Sequence, residues 1–143
     1  MFRTLATGLA LAALMGSAAL AETHEVQMLN KGENGRMVFE PAFVAAAPGD
    51  TIKFVAASKG HNAETVKGMI PDGAEGFAGK INEEIEVTLE TEGLYAVMCK
   101  PHYAMGMVMT IAVGDVETAP DGFLEGRVPK KAKERLEEQL SNL

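Results

Sequence analysis

Nine residues, Cys99-Lys-Pro-His102-Tyr-Ala-Met-Gly-Met107, contain the only cysteine of the 143-residue chain. They place a thiol, an imidazole and two thioethers between two apolar runs. Cys, His and Met together are soft-to-borderline donors, a set that suits copper better than zinc, magnesium or calcium. One further imidazole would complete a His₂Cys site with a weak axial Met, the donor set of blue-copper centres. The rest of the chain must supply that second histidine and a scaffold to hold it.

The histidines are His24, His61 and His102. His102 follows Cys99 by three residues, a C-x-x-H spacing that also occurs by chance. His61 opens a strand-like segment, His61-Asn-Ala-Glu-Thr-Val66, about forty residues earlier. Alone it reads as a satisfied or surface histidine. Together with Cys99 and His102 it becomes the missing donor, because a β-sandwich brings a strand-start residue beside a loop between later strands. His24 lies near the chain start expected below, where fraying makes it a surface residue. Of the methionines, Met107 is favoured over Met105 as the axial donor. Gly106 permits a sharp turn before it, and the following strand fixes its side chain. Both could also be ordinary core methionines. A cysteine at a buried strand end needs a cation to offset the desolvation of its thiolate.

The positioning elements follow from apolar spacing. Val26–Asn30, Met37–Phe39, Phe43–Ala47 and Thr51–Val55 read as strands, with Pro41 at a bend or edge and Pro48-Gly49-Asp50 as a turn. Gly68 to Lys80 reads as a long irregular connection. Ile85, Val87 and Leu89 alternate with Glu84, Glu86, Thr88 and Glu90, one face apolar and the other polar. Period two places Tyr95, Val97 and Cys99 on one face of the next strand, and Met107, Met109, Ile111 and Val113 on one face of the last. Seven or eight short strands with frequent turns predict an all-β antiparallel sandwich. Residues 116–143 form a helical tail. A short helix is expected around Phe123 and Leu124. A second follows Pro129 and docks through Ala132, Leu136, Leu140 and Leu143.

The chain opens with one charge, Arg3, an apolar run, and Ala19-Leu20-Ala21, a small-residue site of the A-x-A kind. Residues 1–21 read as a secretory signal peptide. The run is short and contains Gly, which argues against a membrane anchor, and no later segment is apolar enough to span a bilayer. Residues 22–143 make one domain. Loss of Arg3 takes the formal net charge from −7 to about −8. That acidity argues against a nucleic-acid partner. A single cysteine cannot close an internal disulfide, and a free thiol in an oxidising compartment is a liability, so metal binding gains weight. The residues include no paired carboxylates, Ser/His/Asp set or phosphate-cradling loop, so an enzyme is not expected. A Cys99–His102 nucleophile pair is a poor reading for a buried strand-end cysteine.

The pattern His61-Asn62, then Gly93-Leu-Tyr95-x-x-x-Cys99-x-Pro101-His102-x-x-x-x-Met107, resembles the cupredoxins. Over the whole of residues 22–143 it is specifically similar to the pseudoazurin family. The Cys-to-Met spacing is shared with plastocyanins; the tail after Gly114 is what separates the two, since it resembles the two C-terminal helices of pseudoazurins. Lys100 stands where that family often carries a small polar residue.

The resemblance implies a Greek-key sandwich of about eight strands with a C-terminal helical extension. It also implies one copper ion, Cu(I)/Cu(II), held by His61, Cys99, His102 and Met107. The activity implied is one-electron transport in the periplasm, as a monomer, to denitrification or respiratory enzymes such as copper nitrite reductase, and c-type cytochromes. Asn62 would bridge the ligand loops from the outer shell. Pro101, lacking an N–H, would withhold a hydrogen bond from the Cys99 sulfur. His102 would be the solvent-side ligand, ringed by Met37, Pro101, Met105 and Ala104. Lys31, Lys59, Lys80 and Lys100 would lie near that patch and steer acidic partners. The competing function is a copper-binding or delivery protein without redox turnover.

Overall fold

Alternating burial along short strands sorts the chain into two layers. The computed structural model describes residues 20–143, so nearly all of the expected signal peptide, residues 1–21, lies outside the described residues. In chain order the strands are β1 Thr23–Gly32, β2 Gly35–Glu40, β3 Phe43–Ala46, β4 Asp50–Val55, β5 Glu64–Thr65, β6 Ile85–Leu89, β7 Gly93–Met98 and β8 Val108–Val113. A short 3-10 helix, Lys100–Met105, lies between β7 and β8, and helix α1 spans Lys130–Leu140. One sheet has the order β2-β1-β4-β6 and the other β3-β8-β7-β5. The eight strands form two four-stranded sheets, the all-β sandwich expected.

The sandwich is not wholly antiparallel. β1 pairs with β4 in parallel (Thr23 opposite Thr51), and β3 pairs with β8 in parallel (Phe43 opposite Thr110). Side chains alternate identically in both ladder types, so spacing alone does not separate them. Reversal at every connection would make strands separated by two or four others antiparallel, so between β1 and β4, and again between β3 and β8, the chain enters a following strand without reversing.

The core lies between the sheets. Val26 and Met28 of β1, Phe39 of β2, and Ile52 and Phe54 of β4 face Tyr95, Val97, Met109, Ile111 and Val113. Phe39 and Phe54 meet edge to face, with ring centroids 6.1 Å apart. Cys99 and Met107 belong to this same cluster and are fully buried. The metal-site end is therefore continuous with the core, not appended to it.

The opposite faces of β7 and β8 are covered as well. Leu94, Ala96, Val108 and Ala112 pack beneath Val66, Met69 and α1. Ala132 and Leu136 of α1 are fully buried, and Leu140 and Leu143 lie partly buried beside them, so the expected apolar stripe is the docking face. Buried Gln139 adds polar register: its Nε2 donates to the Val108 carbonyl at 3.0 Å and its Oε1 accepts from Thr110 Oγ1 at 2.9 Å. The helix expected around Phe123 is instead a turn, closed by Phe123 N–H to the Pro120 carbonyl and Glu125 N–H to the Gly122 carbonyl. Gly122, at φ +78°, takes the left-handed conformation that ends helical propagation. Phe123 is buried all the same. No helix among the described residues is long and apolar enough to cross a membrane.

The start of β1 is tied down, not frayed. Asp50 is 4% exposed and its carboxylate accepts from the Glu22 N–H at 2.9 Å, the Ala47 N–H at 2.9 Å and His24 Nε2 at 2.8 Å. The His24 bond and those two backbone donors hold the Asp50 carboxyl down to about 2. His24 is thus a partner of a core-edge carboxylate, a role invisible without the parallel β1–β4 pairing.

Candidate metal centre

Each donor is placed by a different local device. Cys99 ends the run of β7, and its alternation with Tyr95 and Val97 turns the sulfur into the core. The Cys99 N–H donates to the Met107 carbonyl at 3.0 Å, which closes the base of the nine-residue loop. Inside the loop Pro101 occupies the first turn of the 3-10 helix, where its missing N–H costs nothing. The His102 N–H bonds the Cys99 carbonyl at 3.1 Å, and Met107 N–H bonds the His102 carbonyl at 3.1 Å. Gly106 makes the exit, at φ +88°. A Cβ there would meet Lys131 Cγ at 2.8 Å and its backbone at 3.2 Å, so both conformation and space require glycine.

His61 does not open a strand; it lies three residues before β5 in an irregular segment. Its carbonyl accepts from Asn82 N–H at 2.9 Å, and Gly60 N–H donates to Asn82 Oδ1 at 2.7 Å. The segment is therefore sewn to the connection before β6. His61 is fully buried and His102 half-buried.

Three donor atoms converge. His61 Nδ1 and His102 Nδ1 are 3.1 Å apart, and Cys99 Sγ is 3.6 Å from the first and 3.5 Å from the second. His61 Nε2 lies 2.7 Å from Asn30 Oδ1. An amide oxygen only accepts, so Nε2 carries the proton and Nδ1 presents its lone pair inward. His102 Nδ1 and Cys99 Sγ converge on the same point as the His61 lone pair, so the three together make a ready donor set for a cation. A first-row ion bound by imidazole and thiolate at about 2.0–2.3 Å separates its donors by roughly 3–3.7 Å, and the triangle fits that span. Met107 is fully buried and belongs to the same core cluster as Cys99.

The electrostatics point the same way. Burial, then the charge of His102, lowers the pKa of His61 and keeps it in the neutral ligand form. Burial raises the pKa of the Cys99 thiol, while the backbone N–H groups of Asn62 and His102 oppose that rise. A cation at the centre of the triangle is what makes the buried thiolate favourable.

Asn62 joins the two ligand-bearing segments. Its Oδ1 accepts from Lys100 N–H at 2.8 Å, and its Nδ2 donates to the Gly79 carbonyl at 3.1 Å and to Glu64 Oε1 at 3.3 Å. Lys100, Pro101, Ala104 and Met105 are exposed around His102, with Met105 at 47%. Met37 is half-buried, in left-handed conformation at φ +52°. Lys31 follows Asn30, Lys59 precedes Gly60-His61, and Lys80 lies just before Asn82, so all three are on segments bonded to the His61 side of the site. All three lysines are exposed.

Two contributors had no distinctive sequence signal. Asn30 orients His61 from β1, yet an asparagine before Lys31-Gly32 reads as turn chemistry. Arg135 donates from Nη1 to the Met37 carbonyl at 2.7 Å and the Gly106 carbonyl at 2.8 Å, and from Nη2 to the Arg36 carbonyl at 2.9 Å. The available clue was a cation beside the apolar stripe of α1, adjacent to Leu136 and three residues after Ala132.

Comparison with known proteins agrees with this geometry. Residues 26–114 match the family of copper binding proteins of the plastocyanin/azurin type. The chain is 51% identical over 136 residues to pseudoazurin of Paracoccus pantotrophus, covering 94% of each chain. The solved pseudoazurin of Methylobacterium extorquens AM1 superposes with a TM-score of 0.77 at 41% identity, over 84% of this chain and 98% of that one. Pseudoazurin from Hyphomicrobium denitrificans gives 0.76 at 38% identity, over 85% and 98%. His61, Cys99, His102 and Met107 form a typical type 1 copper set on this fold. The chain therefore belongs to the plastocyanin/azurin family of copper-binding proteins and, within it, to the pseudoazurins, blue copper electron carriers that bind one copper.

Proposed function

We propose that residues 22–143, freed of a signal peptide, act as a monomeric one-electron carrier in the periplasm and not as an enzyme. His61, Cys99, His102 and Met107 would hold the copper. The observation that carries this reading is the donor triangle, buried on the His61 and Cys99 side and reaching the surface only at His102. Copper, when bound, supplies a Cu(I)/Cu(II) couple. The chain's own part is to hold two neutral imidazoles and a desolvated thiolate in positions set by hydrogen bonds and core packing, so that little needs to move when the charge changes. The burial of His61, Cys99 and Met107 favours this over copper delivery, which needs ready exchange. Purified oxidised protein should be intensely blue to green and bleach reversibly with a mild reductant. A colourless copper form, or one that releases copper on reduction, would favour delivery.

Electrons would leave through His102, with Met37, Pro101, Ala104 and Met105 as the apolar contact. Partners would be periplasmic redox proteins such as nitrite reductase and c-type cytochromes, acidic around their docking sites. Lys31, Lys59, Lys80 and Lys100 put positive charge on this end of an otherwise acidic chain. Reduction of such a partner should slow as ionic strength rises, since screening shortens the reach of the field. A salt-independent rate counts against steering.

Pro101 sets the number of donors near the Cys99 sulfur. The Asn62 and His102 N–H groups already favour the thiolate, and residue 101 adds none. Pro101→Ala restores an N–H, which stabilises negative charge on sulfur, weakens its donation to the metal and favours Cu(I). The reduction potential should rise, as read by voltammetry. An unchanged or lower value refutes this account.

A further inference from the structure

We propose that removal of residues 1–21 creates a second metal site, a square-planar Cu(II) chelate on the new N-terminus Glu22-Thr23-His24, distinct from the type 1 centre. The inference rests on the cleavage proposed above, because only cleavage after Ala21 makes the Glu22 nitrogen a free α-amine and makes His24 the third residue. A histidine in that position offers an unbroken series of nitrogens: the α-amine, the Thr23 and His24 amides, and its own Nδ1. These close consecutive small chelate rings around one ion. Four nitrogens in a plane are the preference of Cu(II) and Ni(II).

The structure prepares the closing donor. His24 Nε2 is 2.8 Å from Asp50 Oδ2, a carboxylate oxygen that accepts. In the neutral ring Nε2 therefore carries the proton and Nδ1 the lone pair, and Nδ1 is the nitrogen that forms a ring with the His24 amide. A carboxylate on the far nitrogen is the usual outer partner of a metal-ligating histidine. Among the described residues His24 Nδ1 has no hydrogen-bond partner, and the side chain is 21% exposed.

The site is reachable without dismantling the sheet. Chelation turns residues 22–24 out of extended conformation and gives up the Thr51 N–H to Glu22 carbonyl bond and the first β1–β4 pairings. Val26 and Met28, fully buried, hold the rest of β1 in place. Without metal, the α-ammonium would sit where the Glu22 N–H now meets Asp50 Oδ1 at 2.9 Å. Binding of Cu(II) releases the ammonium proton and both amide protons, which leaves a neutral chelate and makes binding tighten as pH rises.

The test is a titration of chain beginning at Glu22, already loaded with its type 1 copper, with Cu(II) and in parallel with Ni(II). One further equivalent per chain should bind, with proton release, a weak square-planar absorption band and, for Ni(II), a diamagnetic product. His24→Ala should abolish it. One glycine added ahead of Glu22, which changes no side chain, moves His24 out of the third position and should remove the square-planar band. Cys99→Ser should keep this equivalent. No further equivalent, or equal binding by the glycine-extended chain, overturns the proposal. N-terminal sequencing of the exported protein tests the cleavage separately. A start at any other residue overturns that reading, and the site in the natural protein with it, whatever the recombinant chain binds.

Discussion

Cys99→Ser should remove the intense visible band of the copper-loaded protein completely while leaving the fold intact. The band requires charge transfer from a thiolate, and Cys99 is the only cysteine in the chain. Serine keeps the shape of the side chain. Its hydroxyl would accept from the same Asn62 and His102 N–H groups that now face the sulfur, so the buried position keeps its polar partners. The larger loss is linkage between metal and folding. At free copper 1,000 times Kd, a one-site ligand stabilises the folded state by about 4 kcal/mol. Urea unfolding with and without copper should differ by an amount of that order in the parent protein and nearly coincide in Cys99→Ser. A surviving intense band would remove the thiolate from the account of the site. Copper-linked stabilisation that persists when His24→Ala is added to Cys99→Ser would show that the two imidazoles hold the ion on their own.

Arg135→Met should destabilise the protein by about 2–4 kcal/mol and disturb the site from a distance. Arg135 makes three charge-assisted bonds, an exposed one to the Arg36 carbonyl and part-buried ones to the Met37 and Gly106 carbonyls; a buried bond of this kind contributes roughly 1.5–3 kcal/mol, and these partly solvated ones about 1 kcal/mol each. Burial lowers its pKa, yet a guanidinium stays charged at any working pH. Methionine retains the apolar stem against α1's packing face, so the loss belongs to the bonds. Gly106 is buried, and its carbonyl would be left without this donor. The left-handed backbone of Met37, which costs a non-glycine residue roughly 1–2 kcal/mol, is held by the same guanidinium. Since Gly106 precedes Met107, the variant should keep the visible band but shift its position and the potential. A urea midpoint unchanged from the parent would show that solvent replaces these bonds without penalty.

Legibility from sequence followed the range of the interactions. The strand faces were readable because alternation is local. Tyr95, Val97 and Cys99, and then Met107, Met109, Ile111 and Val113, lie in the core as period two requires. The stripe of α1 was readable for the same reason at helical spacing. The nine-residue loop was readable because its donors are close in sequence. The expected helix near Phe123 failed where Gly122 adopts positive φ, a choice a glycine permits but does not announce. The parallel pairings escaped because a ladder's direction depends on where the chain crosses, not on what it is made of.

The sequence by itself determined the soft donor set, the β scaffold and the helix that covers it, since these depend on residue type and on spacing of a few residues. The tertiary structure alone decided how the donors meet. Asn30, thirty-one positions before His61, fixes its tautomer; Asn62 binds the two ligand segments together; Arg135 anchors the loop's exit from the far end of the chain. The same is true of His24, which became a partner of Asp50 only when β1 paired with β4. Such contacts join residues whose separation in sequence carries no period, so only the packed sheets bring them within bonding distance.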